Sequence, residues 1–192
     1  MKKSIITITG KNGSGKSTTG KRLAEMLGYT HKSGGDFMRA GAMKHNMGIA
    51  EFMIYAETHS EVDEETDQML KDCGKEENLV IDARIAFFWI PESFKVYLDL
   101  DFDTAVERVQ ESLKNDPLRL QSEDTSNTHD EMKQKLIQRY ERDAARYKTK
   151  YNIDTKDMSQ FDLVINTGDP HNTLDVVVQT VFDAYQTWKS QD

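Results

Sequence analysis

A strand-like run, a glycine-punctuated turn and a helical pattern follow one another without a break in ITITGKNGSGKSTTGKRL, Ile6 to Leu23. No other stretch limits the fold as strongly. Gly10, Gly15, Lys16 and Ser17 fall at the defining positions of G-x-x-x-x-G-K-[ST], with Lys11, Asn12, Gly13 and Ser14 between them and Thr18 directly after. Glycines at these places let backbone N–H groups turn inward around an oxyanion, and the helix beyond adds its dipole. Lys16 is expected to reach the β- and γ-phosphates of a nucleoside triphosphate such as ATP, and the Ser17 hydroxyl to ligate Mg²⁺. The alternative is a glycine-rich turn arising by chance. The strand before it and the helix after it argue against that.

The rest of the chain keeps the rhythm of strand and helix. Strands are predicted at Ser4–Thr9, Tyr29–Lys32, Leu79–Asp82, Lys95–Leu100 and Asp162–Asn166. Helices are predicted at Gly15–Leu27, Asp36–Asn46, Ile49–Thr58, Glu61–Asp72, Phe102–Asn115 and Asn172–Lys189, the last with Leu174, Val177, Val178, Val181, Tyr185 and Trp188 at helical spacing. This alternation predicts an α/β fold of three layers around a central parallel five-stranded sheet, with sites at the carboxyl ends of the strands. The segment Lys114–Asp130 breaks the rhythm with Pro117 and a polar cluster, and reads as a mobile excursion between two helices.

Length and charge narrow the function. A chain of 192 residues suits one domain, and burying about 70% of its unfolded surface requires no metal or disulfide staple. The single Cys73 cannot form an internal bridge, which fits a reducing cytoplasm. The N-terminal apolar run stops at Gly10, too early for a signal peptide, and no window is long enough to span a membrane. A net charge of −8 argues against binding nucleic acid polymers or membrane surfaces. A polyanionic substrate must then meet locally concentrated arginine and lysine. A monomer is expected.

A strand candidate with an acid at its end follows the loop. Asp82 ends the LVID strand, where it is placed to hold Mg²⁺ through water, or else is a surface acid ending a strand. A GTPase is a poor fit. Asn166-Thr167-Gly168-Asp169 has Thr where a guanine-reading motif has Lys, and Asp82-Ala83-Arg84-Ile85 lacks the switch glycine. The arginines favour a kinase. Arg39 lies on the helix after Ser33-Gly34-Gly35-Asp36, Arg84 follows LVID, and Arg139, Arg142 and Arg146 share a helix face at i, i+3 and i+7. The apolar stripe of that helix, Met132, Leu136, Tyr140, Ala144, Tyr147 and Tyr151, is expected to point elsewhere. A solvated face paired with Glu141 and Asp143 is the bland alternative. Phosphoryl transfer needs guanidinium groups around the acceptor and the moving phosphoryl, and that need explains the set.

These residues together resemble the nucleoside monophosphate kinases, most closely the short cytidylate kinases of archaeal type. HKSGGDFMR is similar to that family's H-x-S-x-G-D-x-x-R, YAETHSEVDEETDQ to its acidic helices, and VIDARIAFFW to its V-[IL]-[ED]-G-R-L-A-x-x-W. RYERDAARYKTKYNID and FDLVINT resemble its closing elements. The resemblance implies transfer of the γ-phosphoryl of Mg·ATP to CMP or dCMP. It implies an acceptor-binding helical portion about residues 33–72 within a core of about 1–32, 73–115 and 130–192, and a lid about 116–129. It also implies that Ser33, Asp36 and Arg39 border the nucleoside monophosphate, that Arg84 grips its phosphate or reads its base, and that Arg139 and Arg146 clamp phosphates with Asp143 orienting them. Arg142 joins this set only by its place on the arginine face. Ala83 departs from the family's glycine, and the lid segment carries Arg119 beside Glu123 and Asp124. Another acceptor (AMP, UMP or a small-molecule hydroxyl) and a nucleotide-binding regulatory module without transfer activity remain open. His31 and His45 read as packing or surface residues, and Phe87, Phe88 and Trp89 as core.

Overall fold

In parallel sheets both faces are covered, so the strands read as apolar runs. β1 (Ile5–Gly10) and β3 (Leu79–Asp82) follow this rule and are buried almost throughout. A computed structural model describes residues 3–115 and 128–191. With β2 (Thr30–Ser33), β4 (Phe94–Asp99) and β5 (Leu163–Asn166), these strands form a five-stranded parallel sheet in the order β2-β3-β1-β4-β5. The register aligns the chemistry. Ile8 of β1 lies opposite Asp82, Asp82 opposite Ser33, and Gly10 opposite Leu98. The strand order reverses at β1, the place where open α/β sheets bind ligands beyond their carboxyl ends.

Helices cover both faces. α1 (Lys16–Leu27) and the C-terminal helix (Leu174–Lys189, labelled α8) pack Leu23, Ala24, Val177, Val178, Val181 and Tyr185 on Ile6, Ile8, Val80, Val96 and Leu98. Against the opposite face lie Leu70 and Cys73 of α4 (Ser60–Cys73), Ala86 and Phe87 of α5 (Ala86–Trp89), and Tyr147 of α7 (His129–Tyr151). α6 (Phe102–Asn115) joins α7 through Val106, Val109, Leu113, Met132 and Leu136. A separate small core of Ala42, Phe52 and Val62 ties together α2 (Gly34–Lys44), α3 (Ile49–Thr58) and α4. No described helix is long and apolar enough to cross a membrane.

The alternation read from the sequence holds, with shifted ends. α2 starts at Gly34 rather than Asp36, because Ser33 and Asp36 close a capping box: the Asp36 amide donates to Ser33 Oγ at 3.1 Å, and the Ser33 amide to Asp36 Oδ2 at 2.9 Å. α5 and a 3₁₀ turn at Met158–Gln160 were not expected; each is too short to give a periodic signal. Most of the expected lid, including Arg119, Glu123 and Asp124, lies outside the described residues. At its end Thr128 caps α7 through a second box with Glu131.

Candidate active site

Beyond the end of β1, the phosphate loop folds as its glycines require. Gly10 has φ +150°, and a Cβ there would sit 2.2 Å from the Leu98 carbonyl oxygen, so no other residue fits this approach to β4. Lys16 and Ser17 open α1, and Thr18 is exposed in its first turn. Lys16 Nζ donates to the Lys11 carbonyl at 2.6 Å, bridging the loop from within. Ser14 is 1% exposed, and its hydroxyl has no hydrogen-bond partner among the described residues. A buried polar atom left unmet inside a phosphate loop points to a bound ligand.

Gly10, Lys11 and Asn12 line a cleft beside the end of β1. Arg84, Arg139, Tyr140, Asp143, Ala144 and Tyr147 line the same cleft. Lys11 is held rather than loose: Nζ donates to Asp99 Oδ1 and to the Leu100 carbonyl, both at 2.8 Å, and lies 5.2 Å from the Phe102 ring centre. Tyr97 closes the floor, its phenol pushed well up by burial and by the neighbouring Tyr140 hydroxyl.

Where the loop meets α1, Ser17 Oγ donates to Asp82 Oδ1 at 2.8 Å. The pair brings a hydroxyl and a carboxylate together beside the loop, an oxygen donor set that suits Mg²⁺. Asp82 is buried, so it is not the surface acid that was the alternative. Its other oxygen, Oδ2, lies 2.7 Å from His31 Nε2.

The acceptor residues suggested by the resemblance form a local cluster at the start of α2. Asp36 Oδ2 accepts from Ser33 Oγ at 2.8 Å, and Arg39 donates to Asp36 Oδ1 at 2.5 Å. Partial burial pushes the Asp36 carboxyl up, but the hydrogen bonds from Arg39 and Ser33 outweigh it and hold the carboxyl below its ordinary range. Ala83 turns its methyl toward Gly34 and joins the buried core.

The three helix arginines separate. Arg139 lines the cleft and Arg142 is exposed outside its lining. Arg146 points across to α4, donating to Asp63 Oδ1 at 2.8 Å and to the Tyr147 hydroxyl at 3.2 Å. Burial opposes its charge, but Tyr147 and Asp63 more than offset that and raise its pKa. Asp143 pairs with Arg84 and stands 3.7 Å from Arg146, between the two cations. The apolar stripe does not point away as expected. Leu136, Tyr140, Ala144 and Tyr147 line the same cleft as Arg139.

Sequence reasoning passed over His31, Lys11's restraint by Asp99, and Tyr97. His31 gave one signal: it stands two residues before Ser33, hence on the same face of β2. Only the strand order makes that face meet Asp82. Phe87 is buried as expected. Phe88 is 38% exposed instead, and Trp89 donates its indole N–H to Asp67 at 3.1 Å. The Asn166–Asp169 segment is a turn in which Asn166 Oδ1 accepts from the Gly168 amide at 2.9 Å.

A parallel sheet in this order, a phosphate loop at the end of its central strand and a cationic wall facing it define a P-loop kinase. A family model described as an AAA domain matches residues 6–134. A cytidylate kinase of Pyrococcus horikoshii is 34% identical over 86% of this chain and 81% of its own. One from Thermoplasma volcanium is 36% identical over 84% and 82%. The chain belongs to the cytidylate kinase family. Among solved structures, shikimate kinase from Bacteroides thetaiotaomicron superposes with a TM-score of 0.67 over 95% of this chain and 98% of its own, at 20% identity, a likeness of fold.

Proposed function

We propose that this chain transfers the γ-phosphoryl of Mg·ATP to CMP or dCMP, releasing ADP and the pyrimidine nucleoside diphosphate. One observation supports the reading beyond family membership: Arg84 and Arg139 line one cleft together with Gly10, Lys11 and Asn12 of the phosphate loop. A module that only binds nucleotide has no need of a second cationic wall.

The acceptor phosphate is already anionic near neutral pH, so the protein supplies alignment and neutralisation rather than a strong base. Lys16 leaves the Lys11 carbonyl to meet the β- and γ-phosphates, and the loop amides hold the donor's oxyanions. Ser17 and Asp82 hold Mg²⁺, which supplies charge neutralisation between the donor phosphates when bound. Arg84 and Arg139 draw the acceptor phosphate into line, and Asp143 sets the tilt of Arg84. Arg39, fixed by Asp36, borders the acceptor with Ser33. In this reading α2–α4 form the acceptor-binding part, Arg146 joins the clamp only by exchanging Asp63 for phosphate, and Arg142 acts at the rim. The segment 116–129 serves as the lid, excluding water so that the phosphoryl group is not lost to hydrolysis. ATP and a nucleoside monophosphate are the partners, met by a cytoplasmic monomer.

The test is ADP formation from Mg·ATP with CMP, dCMP, UMP, AMP, GMP or no acceptor. Stimulation by CMP or dCMP with recovery of the diphosphate is expected. Stimulation by AMP or UMP alone would keep the chemistry and move the specificity. ATP binding without transfer to any acceptor would favour the regulatory module.

A further inference from the structure

We propose that His31 is a positioning residue for the magnesium carboxylate: its Nε2–H holds one oxygen of Asp82 so that the other faces Ser17 and the metal. The inference rests on the phosphoryl-transfer reading above and assigns a role to a residue outside it. Three observations converge. The Asp82 side chain is 6% exposed and its two oxygens are divided, Oδ1 to Ser17 at 2.8 Å and Oδ2 to His31 at 2.7 Å. His31 is itself largely enclosed, its side chain 12% exposed, so water competes little for the contact. The third lies on α1. Gly20 sits in the middle of the helix, where glycine costs about 0.5–1 kcal/mol relative to alanine. A Cβ at Gly20 would come within 2.8 Å of His31 Nε2 and 3.7 Å of Asp82 Oδ2. The helix carries a weak residue at a place where a side chain would crowd the imidazole against the carboxylate.

The geometry follows from the sheet. His31 lies opposite Val80 in register, and Asp82 is two residues further along the same face of β3. That diagonal reach is within the span of an imidazole and a carboxylate on neighbouring strands. A carboxylate tied at one oxygen has lost its freedom to rotate, so it presents the second without the entropy of ordering it when the metal–nucleotide arrives. Outer hydrogen bonds of this kind typically alter metal affinity by 10–100-fold.

The experiment measures Mn²⁺, a spectroscopically visible stand-in for Mg²⁺, binding to the ATP-loaded protein by electron paramagnetic resonance, with no acceptor present. Metal-free ATP binding is measured in EDTA by calorimetry. His31→Phe keeps a ring and removes the donor, His31→Gln restores an N–H near the Nε2 position, and Gly20→Ala leaves His31 in place but crowds it. Expected is about tenfold weaker Mn²⁺ binding in His31→Phe and Gly20→Ala, near-native binding in His31→Gln, and ATP affinity in EDTA unchanged in all three. Native Mn²⁺ affinity in folded His31→Phe overturns the proposal. So does equal loss in folded His31→Phe and His31→Gln, which would make the ring's packing the cause. Should His31→Phe fail to fold, Gly20→Ala decides: weakened Mn²⁺ supports the proposal and native affinity overturns it. If the native protein binds no ATP, the phosphoryl-transfer reading falls and this inference with it; if ATP binds and CMP is not the acceptor, the Mn²⁺ result still stands.

Discussion

On the proposed donor side of the cleft, the groups assigned to phosphate and metal are backbone amides and residues fixed by the sheet. Gly10 fits its place against Leu98, and Asp82 is buried and bonded at both oxygens. On the acceptor side, the cations are held by carboxylates that phosphate must displace or share: Arg84 by Asp143, Arg146 by Asp63, and Arg39 by Asp36. The donor wall thus has its backbone and its carboxylate set in place, with Lys16 tied to a loop carbonyl. The proposed acceptor wall is a set of internal ion pairs spread over α2, α4, α7 and the turn after β3. Arg39–Asp36 is half exposed, and an exposed pair contributes about 0–1 kcal/mol to stability, while Arg84–Asp143 and Arg146–Asp63 are more enclosed. The exposed pair is the easiest to open toward a substrate; the enclosed ones exchange one anionic partner for another.

The largest expected effect tests the donor wall. Lys16→Ala should lower kcat by roughly two to three orders of magnitude, the scale of losing one charged group aimed at a developing oxyanion. Lys16 Nζ donates to a carbonyl five residues back in its own loop, a local contact, so the melting temperature should stay near native. Turnover and thermal unfolding measured together separate the two. Near-normal turnover would remove the donor assignment.

Arg84→Ala comes next and tests the opposite wall. A hydrogen bond to a charged group contributes about 1.5–3 kcal/mol, which corresponds to roughly 10- to 150-fold in binding. The KM for CMP should rise by that order and the KM for ATP much less. An equal rise in both would erase the distinction between the walls at this residue. Asp143→Asn should mimic a milder form, since it loosens Arg84 without removing it.

This difference also explains what the sequence made readable. The phosphate loop is contiguous: Gly10 to Thr18 lie in one strand–turn–helix unit, and their spacing is dictated by how a backbone wraps an anion. The sheet's alternation of elements was equally plain, since β1, β3 and β4 are buried runs between helical periods. The acceptor wall needs side chains from distant segments, so its membership depends on tertiary contacts that no local pattern encodes. Arg139 and Arg146 share a helix face, yet one lines the cleft and the other reaches Asp63 on α4. His31 looked like a lone histidine because its partner is 51 residues away, joined to it only by the pairing of β2 with β3.

A smaller effect concerns the independence of the acceptor part. Phe52 is 1% exposed at the centre of the small core of α2–α4, separate from the cores under the sheet. Phe52→Ala should cost about 3 kcal/mol in that region, the usual scale for emptying a buried aromatic site. Amide hydrogen exchange should then speed up in α2 and α3 while β1 and β3 keep native protection, and the KM for CMP should rise with ATP affinity unchanged. Uniform acceleration across the sheet would mean that the two walls share one cooperative unit.

The smallest effect is a pH dependence at the entrance to α2. Asp36 is held below its ordinary value of 3.8 because bonds from Arg39 and Ser33 outweigh partial burial. A carboxyl depressed in the folded state binds its proton less readily than in the unfolded chain. Its stabilising contribution is therefore complete above about the unfolded value and is lost as pH falls through the lower folded one. Asp36→Asn removes that linkage while leaving a residue that can still bond at the helix start. The melting temperature of the native protein should exceed that of the variant near pH 6, and the gap should narrow as pH drops from about 4 toward 2. With half of the side chain exposed, solvent keeps the gap to a degree or two. A constant gap across that range would show that the capping box, and not the carboxylate's charge toward Arg39, holds this edge of the acceptor wall.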